Sequence, residues 1–261
     1  MNLTIQTFLQ HALAGTDVFN DALEPLVALQ DEVREVFGYA LQNDEESAKQ
    51  MEYLFSKPLP FGREEWSIEQ RYQATMSLRE RLHAAEKVYV IGAGSKTIQT
   101  AEFGTEARFI AADGAVGAVD DLSKVLCVVS DGDGAEHLQQ AAESSVHIIL
   151  HAHGDNLETW NELCTKWASM KSVPTLTLTH QTRTSFSGIH NPGGFTDGDR
   201  ALCFLHSMGL DLMHVECLGF STKEVGMWSG ATNPVAKLDK LQWMKEAMIR
   251  LGVGHHLINY D

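Results

Sequence analysis

The stretch NPGGFTDGDR, residues 191–200, packs three glycines, two aspartates and an arginine into ten positions. Gly193, Gly194 and Gly198 let a backbone approach a ligand closely. Asp197 and Asp199 stand at the mouth of the helix predicted to follow, with Arg200 beside them. Thr196 and Asp199 have the spacing of a variant capping box. Capping explains that pair but leaves Asn191, Asp197 and the paired glycines free for a ligand. Two more clusters lie upstream, SDGDG at 130–134 and HAHGDN at 151–156. Asp131 and Asp133 are two residues apart and would point to one side of an extended segment. Two such charges about 4 Å apart repel by roughly 4 kcal/mol at a surface-like dielectric. A hard cation such as Mg²⁺, with oxygen ligands, would compensate them. The alternative is an acidic turn with each carboxylate solvated.

His151, His153 and Asp155 alternate like ligands along a strand. They resemble the His-x-His-x-Asp of metallo-β-lactamase-type zinc hydrolases, with Asn156 where those carry a further histidine. Zinc-dependent hydrolysis is therefore an alternative reading, although His151 taken alone reads as a hydrogen-bonded core residue. The GAGSKT segment at 92–97 follows a predicted strand and opens a predicted helix, so Gly92, Gly94, Ser95 and Lys96 could cradle phosphate. Thr97 replaces the third glycine of the dinucleotide fingerprint, and the spacing is not that of a Walker A loop. A tight strand-to-helix turn explains the segment equally well. Asp113 ends the second predicted strand, where a dinucleotide enzyme keeps its ribose-binding acid or a helix its N-cap. Gln181 and Thr182 leave the fifth strand.

These clusters need a frame that gathers them. Short apolar runs predict strands at 87–91, 108–112, 125–129, 146–151, 174–179 and 212–218. Helical stretches are predicted at 96–103, 135–143, 157–170, 197–208 and 235–251, the lysines of the last forming a solvated face. This alternation predicts an α/β, Rossmann-like, mostly parallel sheet of about six strands flanked by helices. Before residue 86 the pattern is helical, with Leu26, Leu29, Val33 and Phe37 on one side. Prolines break it at 57–62, and Ser67 with Gln70 opens another helix to about residue 86. The expected organisation is a helical N-terminal region, 1–85, and a catalytic domain, 86–261.

The net charge of −15 argues against nucleic acid or anionic membrane as partners. No apolar run approaches the roughly 20 residues of a membrane span. Residues 1–5 lack the basic start of a signal peptide, and the four cysteines show no paired spacing. Together these suggest a cytoplasmic protein with reduced thiols.

Taken in order, GAG, AADGA, SDGDG, HAHGDN and GGFTDGDRA make the chain resemble the archaeal-type 6-hydroxymethyl-7,8-dihydropterin pyrophosphokinases, over roughly residues 88–251. That family is similar in turn to thiamin pyrophosphokinases. The resemblance implies Mg²⁺-dependent transfer of diphosphate from ATP to the hydroxymethyl oxygen of a reduced pterin, releasing AMP. It places Asp131, Asp133 and Asp197 at the metal and Arg200 among the catalytic groups. Together with the residue reading above, Gly92, Gly94, Ser95, Lys96, Asp113, His153, Asp155, Asn156, Gln181, Thr182, Asn191, Thr196 and Asp199 are the expected binding residues. One of Asp155, Asp197 and Asp199 would accept the pterin's adjacent N–H groups in parallel. The chain departs from the family where Gly94-Ser-Lys-Thr replaces Gly-Pro-Ser-Leu, and where Cys217-Leu-Gly-Phe lacks the aspartate of Gly-Met-Asp-Phe. A non-catalytic nucleotide-binding protein on the same fold is a further alternative. A homo-oligomer is compatible with all three readings.

Overall fold

The computed structural model describes residues 18–230 and 233–257. The expectation about residues 1–5 lies outside them. Six strands form one parallel sheet: β1 (Lys87–Ile91), β2 (Ala107–Ala112), β3 (Val125–Ser130), β4 (His147–Ala152), β5 (Leu176–His180) and β6 (Val215–Leu218). Their order is β5-β4-β3-β2-β1-β6. The chain thus walks outward from β1 to β5 and returns to pair β6 with the free edge of β1. That reversal makes a crevice between the exits of β1 and β6, where open α/β sheets bind ligands.

Seven α-helices are described: α1 (Glu24–Phe37), α2 (Leu41–Phe55), α3 (Ile68–Ala84), α4 (Ala135–Glu143), α5 (Leu157–Ala168), α6 (Asp197–Ser207) and α7 (Pro234–Arg250). Alternate strand residues feed two cores. Val88, Val90, Ile110, Val129 and Ile149 meet Leu26, Leu29, Leu78, Leu202 and Met248 on the face of α1, α3, α6 and α7. Ile91, Phe109, Ala111, Val128 and Leu150 meet Met51, Phe55, Leu138 and Trp160 on the face of α2, α4 and α5. Both sheet faces are covered, so the strands read as continuous apolar runs. The N-terminal helices share these cores with the sheet. All four cysteines are buried and unpaired, and no described helix is long and apolar enough to cross a membrane.

Two expectations about elements are corrected. No α-helix follows the glycine-rich loop; residues 96–99 run irregularly into a short 3₁₀ turn, Thr100–Phe103. The loop is drawn into backbone pairing instead, because Ile98 bridges Val119. The segment at 212–218 begins as a 3₁₀ turn, Leu212–His214, before β6. Gly38 (φ 70) closes α1 in the left-handed conformation and turns the chain into α2.

Candidate active site

Three carboxylates converge where β2 and β3 end. Asp113 follows β2 with a left-handed backbone (φ 48), a conformation uncommon outside glycine. That turn sends its carboxylate across to the exit of β3, where Oδ1 accepts from Ser130 Oγ and from the Gly134 N–H at 3.1 Å. Asp131 and Asp133 flank Gly132 (φ 101), where a Cβ would meet Leu163 at 2.9 Å. One oxygen each from Asp113, Asp131 and Asp133 lies within 4.8 Å of the others. Asp197, at the start of α6, lies close enough to interact with all three.

The charges respond to this crowding. Burial, then the charges of Asp197 and Asp131, push the Asp113 carboxyl well above its ordinary range. Burial, then Asp131, push Asp197 up to about 7. Asp131 moves the opposite way. Burial would raise it, but the hydrogen bond and charge of His153, with the charge of Arg200, outweigh that and hold it ionised. Burial disfavours the His153 cation, yet its bonds to Asp131 Oδ2 (3.2 Å) and Asp155 Oδ1 (2.6 Å) carry it up to about 9.

A polar scaffold sets these groups. Arg200 is 4% exposed and reaches Asp197 (3.2 Å) and Asp131 (3.7 Å) through Nη1. Its Nη2 donates to Gln181 Oε1 at 2.9 Å. Gln181 in turn donates to both oxygens of Asp44 on α2, at 3.0 and 3.1 Å. Asp44 also accepts from the Gly154 N–H (2.7 Å) and pairs with Arg34 of α1 (2.9 Å). Asn156 ties the loops after β3 and β4 together. Its Nδ2 donates to the carbonyls of Asp131 and His151, both at 2.7 Å, and its Oδ1 accepts from the His153 N–H.

The acids lie between two cavities. One, of about 170 Å³, is lined by Tyr39, Phe195, His153, Arg200 and Lys240. The other, of about 70 Å³, runs over the β1 and β6 exits past Gly92, Gly94, Phe220 and Trp228. Asp133, Thr196, Asp197, Gly230 and Lys237 line both. Asp131, Asp133 and Asp197 therefore line one space.

Other predicted residues fall elsewhere. Asp199 is fully buried, and its oxygens accept from the N–H groups of Phe195 and Thr196 and from Thr196 Oγ1. It completes the capping box and lines neither cavity. Asn191 holds Gln30, the Thr182 carbonyl and the Gly193 N–H, and Thr182 is buried beside His180. Both line a different cavity. Lys96 is exposed and lines none of the three. Gly92 and Gly94 line the smaller cavity, but several donors of the predicted phosphate cradle are engaged within the protein. The N–H groups of Gly92, Gly94 and Ser95 donate to Leu218, Gly219 and Gly92, and Ser95 Oγ to Leu218. Asp113 joins the acidic cluster instead of waiting apart as a ribose acid.

The zinc set does not assemble. His151 is fully buried, with Nδ1 on Thr179 Oγ1 (2.9 Å) and Nε2 on Gln181 Oε1 (3.4 Å). Among the described residues, the three aspartates are the group positioned for a metal. Hard carboxylate oxygens suit a divalent cation of the Mg²⁺ kind. Asp131 Oδ1 is buried without a hydrogen-bond partner, and such an ion would satisfy it.

Sequence reasoning missed Asp44, Arg34, Tyr39, Lys237 and Lys240. The two lysines, expected in a solvated face of α7, line the site, and Lys240 lies 5.9 Å from the centre of the Phe195 ring. An aspartate at Gly219, where the resembled motif would carry one, does not fit this backbone. Gly219 has φ +69, and a Cβ there would come within 2.1 Å of Ser95 N.

The chain matches no family model. It is 34% identical over 159 residues to 6-hydroxymethyl-7,8-dihydropterin pyrophosphokinase from Pyrococcus furiosus, covering 58% of this chain and 64% of the relative. The proteins of the same name from Methanocaldococcus jannaschii and Methanothermobacter thermautotrophicus are 32% and 31% identical, over 46% and 51% of this chain. The chain spans 52% of the first of these and 58% of the second. Over about half of its length, the chain is similar to three archaeal proteins named 6-hydroxymethyl-7,8-dihydropterin pyrophosphokinase.

Proposed function

We propose that this protein transfers diphosphate from ATP to the hydroxymethyl oxygen of 6-hydroxymethyl-7,8-dihydropterin. The pterin hydroxyl gives up its proton as its oxygen bonds to the β-phosphorus, the bond from that phosphorus to the α,β-bridging oxygen breaks, and AMP leaves. The observation that carries the reading is the convergence of Asp113, Asp131 and Asp133, with one unpartnered oxygen, at the junction of two cavities. The names of the archaeal relatives support the substrate and the reaction class.

Diphosphoryl transfer asks a protein chiefly for alignment and for positive charge near phosphate oxygens. Asp113, Asp131 and Asp133, with Asp197 beside them, would hold Mg²⁺, which when bound supplies most of that charge in so acidic a chain. Arg200 is fixed by Gln181 and Asp197, so it presents its cation without reorganising. Lys237 faces both cavities and adds a second. Tyr39 and Phe195 give the larger cavity an aromatic wall that suits a flat heterocycle. Asp155 stands at its edge with an 82% exposed side chain, within reach of an incoming ring.

The test is incubation with ATP, the reduced pterin and Mg²⁺, with nucleotides separated by chromatography. AMP in step with pterin diphosphate is expected, and Asp131→Asn should abolish it. ADP as the product, or full turnover by that variant, would sink the reading.

A further inference from the structure

Beyond the edge strand β5 lies a third cavity, of about 480 Å³, within the size range of small-molecule sites. It is walled by the start of α1, by α3 and by the segment 182–191, and shares no lining residue with the two cavities at the acids. Arg71, only 4% exposed, lies in its wall. Nη1 of Arg71 donates to the carbonyls of Phe55 (3.2 Å) and Trp66 (2.6 Å), and the guanidinium carbon lies 5.1 Å from the centre of the Phe55 ring. Among the described residues no carboxylate pairs with it, and burial draws it down to about 10. The contrast with Arg34 and Arg200 is direct, since each of those meets aspartates.

Nη2 of Arg71 is turned toward Gly188, which also lines the cavity. A Cβ built on Gly188 would sit 3.0 Å from that nitrogen, so the glycine keeps this edge of the guanidinium open. His190, another lining residue, has a buried Nε2 with no hydrogen-bond partner, and its ring stacks on Phe19 with centres 4.1 Å apart. Burial holds that imidazole down at about 4, hence neutral near pH 7. The mouth carries Asp21, Glu24 and Arg183, the last engaged by Glu24 and by Asp31. A buried cation without a counter-charge is costly, and an anion is the partner that would offset it.

We propose that this cavity is a binding site for a small molecule bearing an oxyanion, carboxylate or phosphate, with the open edge of Arg71 as its charge partner and His190 Nε2 as a hydrogen-bond partner. The site is independent of the proposed transferase reaction.

Titration calorimetry on the full chain, with inorganic phosphate in one arm and benzoate in the other, tests it. Binding of at least one at millimolar concentration or tighter is expected, and the preferred arm tells phosphate from carboxylate. Arg71→Gln should weaken binding at least tenfold. Arg71 also ties down two carbonyls, so Ile68→Trp serves as a second variant. Ile68 lines the cavity beside Gly188, and the indole fills the space while leaving Arg71 in place. It should lose binding with its circular dichroism unchanged. Asp131→Asn should bind as the parent does. The proposal is overturned if neither anion binds the parent, if affinity survives in Ile68→Trp, or if Asp131→Asn abolishes binding.

Discussion

Replacing Asp113 by Asn should make the metal-free protein more stable and the magnesium-loaded protein less so. The amide Oδ1 can keep the bonds from Ser130 Oγ and the Gly134 N–H, which turns the NH₂ toward the other acids. Ligand oxygens of this cluster lie within 4.8 Å of each other. At an effective dielectric of 20, a pair of full charges at that separation repels by about 3.5 kcal/mol. Burial and the neighbouring charges hold Asp113 well above its ordinary range, which relieves part of this. A gain of about 1–2 kcal/mol remains, roughly 2–8 °C in melting temperature for a chain of this size. Magnesium reverses the order. An ion at a hundred times its Kd adds about 2.7 kcal/mol to the parent, and the variant, lacking one carboxylate, gains little. Scanning calorimetry of both proteins at pH 7.5, in chelator and in excess Mg²⁺, reads the crossover. The reasoning fails if the variant melts lower than the parent in chelator, or if magnesium raises both melting temperatures equally.

Asp44→Ala should destabilise the fold by about 3–5 kcal/mol in urea titrations, because it strands Arg34 and Gln181 in the interior. An Asp44→Ala protein as stable as its parent would show the scaffold to be ornamental. Gly219→Asp should fail to fold or lose about 3 kcal/mol, since its Cβ would overlap the Ser95 backbone. Wild-type stability in that variant would contradict the steric account. His147, buried and hydrogen-bonded to Thr175 and Thr177, is held down at about 3 by burial and then by Arg81. Its unfolded value is near 6.5, so the unfolded chain binds the extra proton between those limits. Its contribution is complete above pH 6.5 and is lost on acidification, by about 1.4 kcal/mol per pH unit. His147→Gln should flatten the stability–pH curve over pH 4–6 by that slope, and an unchanged slope would place the proton elsewhere.

The sheet was legible because β3, β4 and β5 are buried at every position and β2 at all but one, which favours short, mostly apolar runs; β6, with Glu216 exposed, is the strand whose start differs from expectation. The false helix at 96–103 shows the limit of local pattern: pairing of Ile98 with Val119 decides that segment, and the partner is 21 residues away. Asp131, Asp133 and Asp197 could be read because glycines and strand ends frame them. Asp113 was read at the right place with the wrong partner, since only its left-handed backbone turns it toward β3. Asp44, Lys237 and Lys240 sit among the polar residues of amphipathic helices and look like solvated side chains. What distinguishes Asp44 is Gln181, 137 residues further along.

The return of β6 to the edge of β1 has a consequence for biosynthesis. Val88 finds Val215 only after the intervening strands and α6 have been made, and Gly94 donates to Gly219 across the same gap. A ribosome-bound chain ending before β6 could hold the aspartates after β2 and β3, yet it would lack one bank of the groove beside them. Competence therefore arrives late, and such distant pairing is intrinsically slow. Fragments truncated before residue 215 would carry the acids without a place for a substrate to lodge.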